Sequence, residues 1–188
     1  MKFYKLIVYL AIFSLFIGCS EDESVAENET GWHFQGRDCL ACHNIDLGIE
    51  KNLVVGTTLF KRADVTDKDN LDNSCEADLA IEFINEDYSV AYSTAKYYDG
   101  SSKGYKGRGN IFLLDRLFNS NLNGAYKLRI VDRLSGISFA QSATLHNFSG
   151  ADYDIDNPDD TNNRISCSAC HGVSTPVVYV QYNENLCK

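Results

Sequence analysis

The sequence predicts a mainly β protein, built as a sandwich of about seven strands in one domain. The chain of 188 residues contains eleven tyrosines and ten phenylalanines but only two prolines. Aromatic residues favour strands, so this composition points away from a helical bundle. Several stretches also alternate apolar and polar residues, which is the pattern of a strand with one buried face.

About seven stretches carry this pattern, and Gly, Asn and Asp residues typical of turns separate them. The clearest is 77–84, where apolar residues recur at about every second position. The predicted strands are 53–60, 77–84, 90–98, 110–114, 126–132, 137–145 and 177–182. Two of these regions, 109–112 and 123–128, resemble the later strands of immunoglobulin-like or transthyretin-like modules, which implies a two-sheet sandwich.

Residues 1–18 have the features of a signal peptide. Lys2 and Lys5 give a positive start, and the apolar run 6–17 is too short to span a membrane comfortably. Gly18 and Cys19 then close a segment that resembles a bacterial lipobox, which implies cleavage before Cys19 and a lipid on its thiol. The alternative is an ordinary signal peptide with an incidental cysteine.

Residues 19–31 are predicted to form an acidic, flexible tether, because 20–30 is polar and has nothing to bury. Ser20 directly after the lipid cysteine resembles the sorting pattern of outer-membrane lipoproteins. The Ser-Glu-Asp-Glu run at 20–23 also resembles the surface-export signal of some Bacteroidota lipoproteins. We therefore expect an exported lipoprotein of the outer membrane that faces the periplasm or the cell surface.

The rest of the chain, 32–188, suits a single domain, since 44% hydrophobic content at this length supports a core of its own. The formal net charge is -9 and the pI is near 4.8. This acidity argues against nucleic acid or an anionic membrane surface as a partner.

A pattern of the form Cys-x-x-Cys-His occurs near each end of this domain, and it is the attachment pattern for c-type haem. The copies are Cys39-Leu40-Ala41-Cys42-His43 and Cys167-Ser168-Ala169-Cys170-His171. Two thiols at this spacing can each form a thioether to one porphyrin, while the adjacent imidazole binds the iron. Export supplies the compartment in which bacteria attach haem. Two copies therefore predict two covalently attached haems, held by segments at both ends of the sandwich.

Two other interpretations of the Cys-x-x-Cys pairs were weighed. Paired cysteines can hold zinc, but zinc sites do not require a histidine directly after each pair, and structural zinc is mainly a device of small or intracellular domains. A redox dithiol of the thioredoxin type expects a βαβ context, which the flanking sequence does not offer. The haem interpretation is therefore the one that accounts for both histidines.

The remaining histidines are candidates for the sixth ligand of each iron. The chain has four histidines, and His33 and His146 are the two outside the motifs. Methionine, the usual alternative sixth ligand, occurs once, at Met1, and would be lost with the signal. We therefore expect bis-histidine ligation, with His33 at the second haem and His146 at the first. An ordinary hydrogen-bonding role for either imidazole, or a ligand from a neighbouring subunit, stays open.

The cysteine count leaves one further pair. Of seven cysteines, one is the predicted lipid site and four lie in the motifs, so Cys75 and Cys187 remain. An oxidising compartment permits a disulfide between them, which would fix the C-terminus to the body of the domain. The alternative is two unpaired thiols.

An acidic loop near the second motif has alternating carboxylates at Asp152, Asp154 and Asp156, followed by Asp159 and Asp160. Such oxygen atoms could wrap calcium, although the glycine and the terminal glutamate of an EF-hand loop are missing. A solvated acidic loop is the simpler interpretation.

In its signal segment, its two motifs and its histidine count, the chain resembles a dihaem c-type cytochrome lipoprotein of a bacterium. This class is related in style to multihaem cytochromes that carry electrons across or beyond the outer membrane. The resemblance implies electron transfer without catalysis on a substrate. It assigns the thioether positions to Cys39, Cys42, Cys167 and Cys170 and the proximal ligands to His43 and His171. It also implies low potentials from bis-histidine ligation and partners that are other redox proteins or cytochromes.

Two rival functions remain. A haem enzyme of the peroxidase or reductase kind would need one open iron site, and such peroxidases are usually longer and use a methionine ligand. A binding module could instead recognise a partner or assemble into a homo-oligomer or filament, with the haems as its wiring.

Overall fold

The computed structural model describes residues 34–97, 109–157, 165–173 and 175–187. In this part of the chain the fold is mainly β, with seven strands in two sheets. The strands are β1 (Leu53–Thr58), β2 (Leu79–Ile84), β3 (Val90–Ser93), β4 (Asn110–Leu114), β5 (Asn123–Asp132), β6 (Ser138–Gln141) and β7 (His146–Ser149). Two short helices coincide with the cysteine motifs, α1 (Cys39–His43) and α2 (Cys167–Cys170). The predicted β-sandwich class is confirmed.

The larger sheet has five strands, and β5 is its centre. One edge of β5 pairs antiparallel with β2, which in turn pairs with β3. The other edge pairs with β7 along residues 123–126 and with β6 along residues 129–131. Strand β5 has ten residues, so it is long enough to hold two different partners along one edge. The smaller sheet is the antiparallel pair of β1 and β4.

The core consists of apolar side chains from both sheets, and its largest members are aromatic. Phe83, Tyr92, Tyr126, Phe148 and Phe118 meet mostly edge to face, with ring centroids between 5.5 and 6.3 Å apart in the perpendicular pairs. This geometry lets the positive edge of one ring contact the negative face of another, which adds to the free energy gained by burying each side chain. The high aromatic content of the sequence is thus used in packing between strands.

A disulfide joins Cys75 to Cys187, as predicted. It secures the C-terminal segment 175–187, called here the C-terminal strap. The strap contacts segments of both sheets. Val180 donates its backbone N–H to Phe60, two residues after β1, and Gln181 donates its backbone N–H to Phe139 of β6. Backbone bonds and the disulfide together fix the strap against the body of the sandwich.

The prediction of a strand at 177–182 is wrong. This segment makes an isolated parallel bridge between Tyr179 and Phe60, and its next backbone bonds go to Phe139. A strand requires a continuous ladder to one neighbour, and the strap divides its bonds between two. Conversely, His146–Ser149 forms β7, which the sequence did not predict as a strand of its own.

Two other predicted strands are shorter than expected. The stretch 90–98 is a strand only over Val90–Ser93, and Thr94–Tyr97 continues as a 3-10 turn. Thr94 leaves the ladder because its side-chain oxygen accepts a hydrogen bond from the backbone N–H of Ile81. The stretch 137–145 narrows to Ser138–Gln141.

The predicted signal peptide 1–18, the tether 19–31, Cys19 and His33 lie outside the described residues. Within the part of the chain that is described, no helix has both the length and the apolar character needed to cross a membrane.

Candidate functional site

The first motif forms helix α1, and Asp38 begins it. One Asp38 carboxylate oxygen accepts hydrogen bonds from the backbone N–H groups of Leu40 and Ala41, each at 3.2 Å. This is an N-cap, which satisfies donors that a helix cannot pair internally. Leu40 is fully buried in a small core with Leu53 and Tyr153. The buried leucine orients α1 on the sandwich and leaves Cys42 and His43 only half-buried.

The first four residues of the second motif form helix α2. Ser166 is its N-cap residue, but its hydroxyl makes no capping bond to α2. Cys167 is buried, whereas Cys170 is exposed. His171 lies just after the helix in an extended backbone conformation.

The two motifs meet on strand β1. Gly56 faces α1 so closely that a Cβ built on it would lie 2.8 Å from Cys39 Cβ and 3.2 Å from Cys39 Sγ. The backbone of Gly56 also forms a parallel bridge with Ser166, the residue before α2. The two motifs are separated by well over a hundred residues in the sequence, yet they flank the same glycine.

A carboxylate links the two helices directly. The Ser166 hydroxyl donates a short hydrogen bond to Asp38 Oδ1, and the Tyr153 hydroxyl donates to Asp38 Oδ2 at 2.6 Å. Asp38 therefore caps α1 and binds the cap residue of α2 with the same side chain. Burial, followed by the hydrogen bond and charge of Asp38, raises the pKa of Tyr153 well above its usual range, which keeps this hydroxyl a donor.

Both motif histidines have the same hydrogen bond. His43 Nδ1 lies 2.9 Å from the carbonyl oxygen of Lys51, and His171 Nδ1 lies 2.9 Å from the carbonyl oxygen of Pro176. A carbonyl oxygen can only accept, so each Nδ1 carries the proton and donates it. The lone pair of each neutral ring is then on Nε2. Histidines that bind metals usually hold their other ring N–H in this way, which fixes the tautomer and the ring orientation.

A mostly apolar cleft of about 250 Å³ lies beside the second motif. Its floor is one face of the larger sheet, formed by Ile81, Leu128, Ile130 and Ala140. The opposite wall is formed by the motif and by the C-terminal strap, with side chains of Cys167, Cys170, His171, Val177, Val178 and Tyr179. The strap thus positions His171 through the Pro176 carbonyl and also encloses the space next to it.

His146 lines this same cleft. It stands on β7 opposite Tyr126 of β5, so the sheet register brings it to the face that carries Leu128 and Ile130. The sequence favoured His146 at the first motif, and the tertiary structure places it at the second. Strand β7 decides this, because its first residue, His146, pairs with Tyr126, two positions before the cleft residue Leu128.

Cys39 is half-buried and Cys167 is buried, and the thiols of both have raised pKa values. Burial, with smaller contributions from Asp38 and Cys167, raises the pKa of Cys39 to about 12. Burial raises the pKa of Cys167 to about 11, although the neighbouring Thr57 hydroxyl opposes the shift. Redox-active dithiols instead have lowered thiol pKa values, because the thiolate is the reactive form. Neither Cys39 nor Cys167 therefore has the lowered pKa that is typical of a reactive thiolate.

Among the motif cysteines, Cys39, Cys167 and Cys170 are not in disulfides. Cys42 is disulfide-bonded. Addition of a cysteine to a porphyrin vinyl group needs the thiol, so attachment at the first motif requires Cys42 to be reduced beforehand.

No family model, curated protein or solved structure matches the chain. The function therefore has to be inferred from the chain's own residues.

Zinc and calcium sites need several ligand side chains close together. Among the residues that the structure describes, no three or more His, Cys, Asp or Glu side chains are grouped so as to hold a metal ion. Asp154 uses its carboxylate within its own loop, accepting hydrogen bonds from the backbone of Asp156 and the side chain of Asn157. Asp159 and Asp160, which the calcium alternative also needs, lie outside the described residues.

The donor set at the second motif fits a c-type haem. It offers two thiols, the His171 imidazole with its proton on Nδ1 and its lone pair on Nε2, the His146 imidazole in the same cleft, and a mostly apolar lining. The cleft is smaller than the roughly 300–1,000 Å³ typical of pockets that enclose a small molecule, so a haem would extend beyond it towards solvent. The first motif offers the His43 imidazole and the Cys39 thiol, but Cys42 is disulfide-bonded there, and no second histidine is described beside it.

The sequence did not single out several residues on which this site depends. Asp38 and Ser166 lie outside the predicted site, although Asp and Ser are typical N-cap residues and each directly precedes a motif. Gly56 and Pro176 act through backbone contacts made in the tertiary structure, for which the sequence gives no comparable signal.

Proposed function

We propose that this chain is an exported dihaem c-type cytochrome lipoprotein that transfers electrons at the outer membrane or cell surface. Cys39 and Cys42 would hold one haem, and Cys167 and Cys170 the other, with His43 and His171 as proximal ligands. The haem irons would supply one-electron redox chemistry when bound. The other proposals of the sequence, lipidation at Cys19 and a ligand role for His33, belong to the same hypothesis.

The observation that carries the proposal is the matching hydrogen bond of the two motif histidines. Each Nδ1 donates to a backbone carbonyl oxygen at 2.9 Å, although the two carbonyls come from unrelated segments. Lys51 follows His43 by eight residues, whereas Pro176 follows His171 by five. Independent solutions to the same orientation favour a shared role for the rings, and iron ligation accounts for it.

At the second motif we assign the sixth-ligand role to His146. It lines the cleft that contains His171, and its strand is fixed by pairing with β5. Two imidazoles on one iron favour a lower potential than a histidine and a methionine would. The mostly apolar lining excludes water from part of the site and acts in the opposite direction, because burial disfavours the more highly charged ferric form.

Mass spectrometry of the mature protein tests the central claim. The protein would be produced with its signal segment in a bacterium that carries the haem-attachment machinery. We expect a mass that includes two haems, and one haem fewer in a Cys167→Ala/Cys170→Ala variant or in a Cys39→Ala/Cys42→Ala variant. A wild-type mass without haem, in a strain that loads a control cytochrome, would overturn the proposal.

Carbon monoxide separates electron transfer from the enzyme alternative. A haem enzyme needs an open iron site, which binds carbon monoxide rapidly in the ferrous state, whereas bis-histidine iron resists it. We expect the reduced wild-type protein to keep its visible spectrum under carbon monoxide. Rapid, stoichiometric binding would favour a peroxidase or reductase-like function.

Assembly is the other alternative, and it requires a separate measurement. A filament or homo-oligomer would be visible by light scattering or electron microscopy of the native lipoprotein released in mild detergent. Monomers that exchange electrons with a soluble cytochrome would favour a simple carrier.

A further inference from the structure

We propose that Gly56 and the Asp38–Ser166 hydrogen bond hold the two motif helices at a fixed, short separation, so that haems attached there form one interacting redox pair. This inference rests on the proposed function and adds to it a role for residues outside both motifs. Gly56, Asp38 and Ser166 would be positioning residues, since none of them contacts a haem iron as a ligand.

The first support is the close approach at Gly56. Strand β1 passes between the motifs, and the absence of a side chain lets Cys39 lie against its backbone. A contact of 2.8 Å between carbon atoms does not occur in folded proteins, so any larger residue would displace α1 from β1. Gly56 does not have a positive φ angle, unlike several other glycines of the chain, so its role does not depend on the conformational freedom of glycine. It depends on the absence of a side chain.

The second support is that α2 is also held against Gly56, through Ser166. Ser166 bridges to the Gly56 backbone and is completely buried. Its hydroxyl donates to Asp38, whose carboxylate already caps α1. A movement of either helix along β1 would break a bond that belongs to the other helix.

The third support is electrostatic proximity of the attachment sulfurs. Cys167 is near enough to Cys39 to contribute to the raised pKa of the Cys39 thiol, after burial and Asp38. Thioether bonds at these two positions would bring one edge of each porphyrin towards the shared glycine. Charges in a poorly hydrated region interact strongly, so reduction at one site should change the potential at the other.

Redox titrations of the intact dihaem protein and of its two single-haem variants, compared with one another, test whether the two haems interact. Dithionite would reduce ferric to ferrous iron in the presence of mediators, and visible absorbance would follow the reduced fraction. We expect the reduction equilibrium constant of at least one haem to differ at least tenfold between the dihaem protein and the variant that retains that haem alone. A dihaem curve equal to the sum of the two single-haem curves would overturn the inference.

A glycine variant tests the separation itself without removing a haem. Gly56→Ala should keep both haems by mass but reduce the magnetic interaction between the two ferric irons, measured by electron paramagnetic resonance. Gly136→Ala adds the same methyl group in the turn between β5 and β6, where nothing lies within 4 Å but φ is +72°. It therefore controls for general destabilisation and should leave the interaction unchanged.

The outcomes distinguish the two proposals. A mature protein without two haems would refute the proposed function, while two attached haems with additive titration would refute only the pair. Should the single-haem variants fail to fold, the resonance comparison of wild type, Gly56→Ala and Gly136→Ala still decides, since it uses proteins that carry both haems. An unchanged interaction in Gly56→Ala would contradict the role of this glycine.

Discussion

The Ser166 hydroxyl donates a hydrogen bond to the carboxylate of Asp38, and these two residues precede the two cysteine motifs. The bond joins the starts of two helices that the sequence separates by 128 positions. Because Asp38 also caps α1 and accepts from Tyr153, one carboxylate organises both motifs and the small core between them.

Asp38→Ala should lower the free energy of unfolding by about 2 kcal/mol or more, because it removes an N-cap and leaves partly buried donors without their acceptor. Chemical denaturation followed by circular dichroism measures the change. Asp69→Ala is the matched control, since Asp69 meets Arg37 only in an exposed pair at 3.5 Å. Such a pair contributes about 0–1 kcal/mol, and equal losses in both variants would contradict the organising role of Asp38.

Tyr153→Phe should change how stability depends on alkaline pH. The folded-state pKa of Tyr153 is raised, first by burial and then by Asp38, so its contribution is fully present below the ordinary tyrosine pKa of about 10. Above that pH the unfolded chain loses this proton while the folded protein keeps it, so stability falls as pH rises. The advantage of wild type over Tyr153→Phe should therefore shrink above pH about 10. Unfolding at a series of pH values checks this, and a constant difference would contradict it.

His146→Ala should open one iron if the proposed ligation is right. The reduced variant is expected to bind one carbon monoxide per chain, whereas the reduced wild type binds none. Ser142→Ala changes another side chain that lines the same cleft and should behave like wild type. Carbon monoxide difference spectra measure the stoichiometry. An unchanged response in His146→Ala would remove His146 from the ligand set.

Loss of the Cys75–Cys187 disulfide should destabilise the protein and loosen the cleft. The bridge closes a loop with a sequence separation of 112, and the chain-entropy model assigns such a loop about 4–5 kcal/mol. In a Cys75→Ala/Cys187→Ala variant, hydrogen exchange should accelerate more in the C-terminal strap than in β2 and β5. Uniform acceleration across the molecule would show that the strap does not depend on the bridge.

Much of the fold could be predicted from the sequence, because strand formation depends on local alternation. The run 77–84 and the run 110–114 became β2 and β4 with little or no change in bounds. The stretch 177–182 does not form a strand, since its backbone hydrogen bonds go to two different neighbours rather than to one ladder. Strand β7 was missed because a run as short as His146–Ser149 carries little periodicity.

The sequence by itself determined which chemically active residue types this protein carries and how they are spaced along the chain. The residue types, their Cys-x-x-Cys-His spacing and the cysteine pair at positions 75 and 187 are all local or countable features. Only the tertiary structure decided how these parts are arranged, including the meeting of both motifs at Gly56 and the place of His146 beside the second one. The physical reason is that such contacts depend on strand register and close packing between distant segments, and local composition does not specify either of them.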